Sequence, residues 1–199
     1  YQMPHLTTRA FNIAKADATI DISIDNWTYG DEANTPTVTT VPSGLAASVE
    51  YKLQSEKNSE YREWGNGPKK AGIYNIRASV SGNDNYNVTS VVDTFIIEKR
   101  TATLQWTDTS FTYDGDNHVP SATVSNIVSG DTCNVTVTGA ATAPGTHTAT
   151  AVKFTGADAA NYEMPDEHST QFTISKAEYA DADVAVTIEG WTYGDAAIA

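Results

Sequence analysis

Apolar and polar residues alternate one for one along several stretches of this chain. Ile20, Ile22 and Ile24 alternate with Asp21, Ser23 and Asp25. Val49, Tyr51 and Leu53 alternate with Glu50, Lys52 and Gln54. Tyr74, Ile76, Ala78 and Val80 alternate with Asn75, Arg77 and Ser79, and Val184, Val186 and Ile188 with Ala185, Thr187 and Glu189. A period of two gives a segment one dry face and one wet face, the mark of strands in antiparallel sheets. Turn-forming clusters punctuate the pattern, among them Tyr29-Gly30-Asp31, Pro42-Ser43-Gly44, Ser81-Gly82-Asn83-Asp84, Asp114-Gly115-Asp116 and Ser129-Gly130-Asp131. No stretch carries a helical period. The segment 55–64 is the nearest candidate, and it reads as a charged loop entering an edge strand. The pattern therefore predicts an all-β chain.

The same text is written more than once. Tyr1, Met3, Pro4, Phe11 and Lys15 match Tyr162, Met164, Pro165, Phe172 and Lys176, each pair 161 residues apart. Trp27-Thr28-Tyr29-Gly30-Asp31 returns at Trp191, now 164 residues on. A shorter repeat lies inside the long one. Lys15, Ala18 and Thr19 match Lys99, Ala102 and Thr103, and Trp27-Thr28-Tyr29 resembles Phe111-Thr112-Tyr113, at an offset of 84. Ile97 and Lys99 match Ile174 and Lys176 at an offset of 77. Two module types thus alternate, and the long period is one pair of them. The expected organisation is the end of a preceding module over 1–15, a first module over 16–99, a second over 100–176, and the start of another over 177–199. Each full module is a small antiparallel sandwich of Ig-like kind, with a β-grasp-like sheet as the alternative. Modules this small are individually marginal, so neighbouring repeats in the same chain are the expected partners. Linkers as short as that after Lys99 favour a stiff rod. A chain that starts and stops inside modules reads as a piece of a longer array, with any leader or anchor outside it.

Composition narrows the function classes. Against 25 Asp and Glu stand 12 Lys and Arg, a formal charge of −13. Such a surface repels phosphate backbones and anionic lipid, so nucleic acid and membrane surfaces are not the expected partners. No apolar run approaches the ~20 residues of a membrane helix. The single cysteine, Cys133, alternates with Val135 and Val137 and reads as a small inward-facing hydrophobe. No disulfide can form within the chain.

The order of motifs carries a resemblance. Tyr29-Gly30-Asp31 and Tyr113-Asp114-Gly115 follow a first strand. Ala71-Gly72-Ile73-Tyr74 and Pro144-Gly145-Thr146-His147 sit mid-module. Asn85-Tyr86 and Asn161-Tyr162 precede closing strands that end in Ile-x-Lys. Taken together these resemble the YGX- and YDG-type MBG repeats of bacterial surface proteins, loosely called bacterial Ig-like. The resemblance spans nearly the whole chain, and it departs at His147, which stands where the other module has Tyr74, and at the charged insert 55–70. It implies an extracellular location, at the bacterial cell surface or secreted, and a stalk that projects an adhesive head. It implies no catalytic residue and no cofactor.

Candidate sites are few. Trp27, Phe111 and Trp191 hold one repeated position and read as packing elements rather than as a sugar platform. Tyr61 and Trp64 lie in the charged insert without a counterpart in the second module. They are the candidate ligand-binding residues, for a glycan or a host surface protein. The acidic turns around Asp31 and Asp114 offer about three oxygens each, short of what Ca²⁺ takes. His5, His118, His147 and His168 lack metal-ligand spacing, and no nucleophile or phosphate-binding motif is present. The expectation is a non-enzymatic spacer, with ligand binding by the module itself as the alternative.

Overall fold

The computed structural model describes residues 1, 9–178, 190 and 192–194. His5, Trp191 and the alternating run Val184, Val186, Ile188 lie outside the described residues. Among the described residues fifteen strands follow one another: β1 (Thr19–Ser23), β2 (Trp27–Thr28), β3 (Thr37–Val41), β4 (Ala47–Leu53), β5 (Arg62–Glu63), β6 (Gly72–Val80), β7 (Thr89–Glu98), β8 (Arg100–Thr101), β9 (Leu104–Thr107), β10 (Ser110–Thr112), β11 (Ser121–Val124), β12 (Asn134–Thr138), β13 (Gly145–Thr155), β14 (Tyr162–Glu163) and β15 (Ser169–Ser175). Among the described residues the only helical turns are two 3-10 turns, Asn58–Glu60 and Ala159–Asn161. The protein is all-β.

The chain forms two compact units. The first holds Tyr1–Ala102 with Ile127–Cys133 and Gly156–Glu163, and the second holds Thr103–Asn126, Asn134–Thr155 and Met164–Ala199. In the first unit a five-stranded sheet runs in the order β2-β7-β6-β4-β5, and β1 pairs with β3 as a separate ribbon. The ribbon supplies Ile20, Ile22 and Val38 to a core built on Tyr74, Ile76, Ala78, Phe95 and Ile97 of the large sheet. Period-two alternation is what makes this possible. In β6, Tyr74, Ile76, Ala78 and Val80 are all buried, while Asn75, Arg77 and Ser79 between them are partly exposed.

In the second unit one sheet runs β10-β15-β13-β12-β11-β9. β11 and β12 are joined by the pair Thr123↔Asn134. Trp106 of β9 packs with Phe111, Val119, Val137 and Ala141 against Ala149, Phe172 and Ile174.

Most of the pairing is antiparallel, and two parallel departures each occur twice: Ala16 bridges Tyr86 as β8 pairs with β14, and the second lies at the sheet edges. β2 pairs parallel to β7, with Trp27 opposite Ile97, and β10 pairs parallel to β15, with Phe111 opposite Ile174. The chain leaving the first ribbon switches to the edge of the large sheet and there runs alongside its last long strand. The side chain of Asn26 assists the switch, because its Oδ1 accepts the Ile96 N–H at 2.7 Å. The segment 55–64 forms the 3-10 turn Asn58–Glu60 and then β5 at the sheet edge.

Candidate functional site

A polar cluster in the first unit gathers on Asp131. Gly130, at φ +93°, turns the chain so that the next residue points back into the unit. One oxygen of the Asp131 carboxylate, Oδ2, accepts two phenolic hydrogen bonds, from Tyr29 at 2.8 Å and from Tyr162 at 2.7 Å. The Tyr162 hydroxyl in turn accepts the Val128 N–H at 2.8 Å. The two rings meet edge to face at 5.8 Å. Burial, followed by the Asp131 carboxylate, pushes the Tyr29 phenol up to about 12. Tyr162 is pushed up to about 12 as well, again by burial first. Both phenols therefore remain proton donors at any ordinary pH.

Arg100 fixes the turn that carries Tyr29. Its Nε donates to the Tyr29 carbonyl at 2.8 Å and its terminal nitrogen pairs with Asp31 Oδ1 at 2.6 Å. Gly30 lies between at φ +85°, and a Cβ there would stand 2.4 Å from a Val128 methyl. Only glycine fits this close approach. The repeated Trp-Thr-Tyr-Gly-Asp string marks this turn in the sequence. Asp131 and Arg100 carry no such mark, since they join the cluster only through folding.

The two residues singled out as ligand candidates are placed apart. Trp64 turns to the core side, edge-on to Phe95 at 5.8 Å and to Tyr51 at 5.7 Å. Tyr61 lies over the outer face of the sheet, with the Arg77 guanidinium 4.0 Å from its ring centre. Lys52 Nζ is 5.7 Å from the same ring. Lys52 is only 2 % exposed, and its ammonium donates to the carbonyls of Leu53, Gln54 and Glu56 at 3.3, 3.3 and 2.7 Å. Arg77 and Arg62 pair with Glu50 and Glu56. The charged insert is thus tied down by its own ions.

The acidic turns also spend their oxygens internally. Asp114 Oδ1 accepts the Asp116 N–H and meets His118 Nε2 at 2.8 Å. Those two bonds, the backbone one first, hold its carboxyl below the usual range. Cys133 is buried, and burial raises its thiol. Lys15, Lys99 and Lys176, which recur at module ends, are all exposed.

Beside the Tyr29 turn lies a cleft of about 300 Å³, walled by Trp27, Pro68, Ile97 and Val128 and rimmed by Asp31 and Lys69. Trp27 stacks on Phe95 at 5.2 Å and 13°. Its counterpart Phe111 is edge-on to Phe172 at 5.9 Å and carries the His118 ring stacked on it at 4.5 Å. Trp27 and Phe111 each pack against a core, and Trp27 also forms part of a wall.

No curated protein matches the chain. A family model, described as MBG domain, matches residues 18–101. This stretch contains the first ribbon, the five-stranded sheet and the Tyr29 turn, so the motif order and the family model point the same way: over residues 18–101 the chain is similar to an MBG domain.

Proposed function

We propose that this chain is a spacer segment of an extracellular, adhesin-like bacterial surface protein, and that its repeats set distance rather than carry out a reaction. An MBG domain is a repeat module of surface proteins. Among the described residues no helix is long and apolar enough to cross a membrane. The observation that carries the reading is the identity of register in the two repeats. Gly72 and Trp27 both stand opposite Ile97, and Gly145 and Phe111 both stand opposite Ile174. Tyr74 faces Phe95 as His147 faces Phe172. Ala16 bridges Tyr86 in parallel as Arg100 pairs with Tyr162. Keeping these pairs in register preserves how the matched strands of each copy pack, which is what a spacer requires. The repeated aromatics and the ionic pairs described above serve that packing.

The test is made on cells displaying the parent protein. Adhesion force microscopy should show the contact distance changing by a constant step for each 161-residue pair deleted or added, with the same ligand preference throughout. A ligand preference lost on deletion of one pair, with reach unchanged, would make the segment a binding head instead.

A further inference from the structure

We propose that the cleft beside Trp27 binds one ring of a neutral hexopyranose glycan, a site that goes beyond the spacer role. The comparison between the two repeats carries the argument. In the second repeat the surface of Phe111 left free by Phe172 is covered by His118, stacked at 4.5 Å. The residue 84 positions earlier, at the corresponding place in the first repeat, is Asn34. Its side-chain amide is directed instead to the carbonyls of Asp25 and Asn26, at 3.2 and 3.1 Å. Trp27 stacks on Phe95 while Phe111 meets Phe172 edge-on, so each ring packs against its own sheet, and beside Trp27 no stacked ring takes the place that His118 takes on Phe111: the cleft lies there instead.

The lining has the two-sided character of a sugar. Trp27, Pro68 and Ile97 form an apolar wall against which the C–H face of a pyranose can lie. Asp31 and Lys69 stand at the rim, an acceptor and a donor for ring hydroxyls. Asp31 is held in place through Oδ1 by Arg100, which leaves Oδ2 to accept. Lys69 has no carboxylate partner among the described residues. At about 300 Å³ the cleft is at the small end of ligand pockets, room for a single ring. A chain of net charge −13 with a carboxylate at the rim disfavours sialylated or uronic sugars, so the ligand is neutral.

The test uses the full chain on an array of neutral glucans, mannans and galactans beside sialylated and uronic glycans. The strongest neutral oligomer is then titrated against tryptophan fluorescence. Lys69→Ala, and Ala33→Leu, which narrows the cleft wall, should each weaken binding by about tenfold or more. Trp27→Phe, which keeps a ring against Phe95, should do the same, and Tyr61→Ala should leave binding intact. Retention of no neutral glycan, or binding that survives both Lys69→Ala and Ala33→Leu, overturns the proposal. Either result leaves the reach measurement, and with it the spacer reading, standing on its own.

Discussion

The carboxylate of Asp131 joins two tyrosines that are distant in sequence, one of them 102 residues away. Replacing it with Ala leaves Tyr162, 2 % exposed, without its acceptor. The expected cost is about 1–3 kcal/mol in urea unfolding, with Asp131→Asn losing less because an amide oxygen remains. The alkaline limb of stability gives a second check. Both phenols sit at about 12 in the fold, above the ~10 of an unfolded tyrosine. A raised value means that the native state holds its proton more tightly. The contribution is whole below pH ~10 and is lost as pH rises towards 12. Unfolding free energy measured across that window should fall in the native chain, and the fall should be shallower in Tyr29→Phe/Tyr162→Phe. At this scale the sequence was half legible. Tyr29 is marked by repetition, whereas nothing near Asp131 distinguishes it from any other turn aspartate.

The elements with a period were readable, and those without one were not. β1, β4 and β6 follow the alternation of their apolar residues. β2 and β10, two and three residues long, are too short to show a period, and their parallel pairing comes from where the chain crosses between layers. Gly30→Ala tests that crossing. A positive φ and a Cβ 2.4 Å from Val128 together should destabilise by about 1 kcal/mol or more in thermal unfolding. The charged insert offers another test. Alternation puts Lys52 on the wet face of β4, yet the insert folds over it and its ammonium caps three carbonyls. Lys52→Met should cost about 1–3 kcal/mol and speed exchange of the Glu56 and Glu60 amides, which bond to the Leu53 and Lys57 carbonyls. Trp64→Ala should cost about 2 kcal/mol or more, through Phe95 and Tyr51. Tyr61→Ala should cost about 1 kcal/mol or less, since its main contact is one guanidinium over an aromatic face. The two residues look alike in sequence because the insert has no period to say which face each joins.

Across the whole molecule the repeat was legible and the composition of the compact units was not. The offsets of 84 and 77 are read directly from matched residues. That Ile127–Cys133 and Gly156–Glu163 belong with the first unit rests on long-range contacts such as Tyr29 with Asp131 and the Ala71 N–H with Asn161 Oδ1. Such contacts leave no local pattern. What matched residues do predict is matched hydrogen bonds, and native-state amide hydrogen exchange tests this most directly. The Tyr29 N–H donates to Glu98 O at 2.8 Å and the Tyr113 N–H to Ser175 O at 2.9 Å, the same rung of the same parallel edge. Both amides, and those of Tyr74 and His147 in the adjoining strands, should be protected in both repeats. Protection at Tyr29 and Tyr74 with rapid exchange at Tyr113 and His147 would contradict the view that one sheet has been written twice.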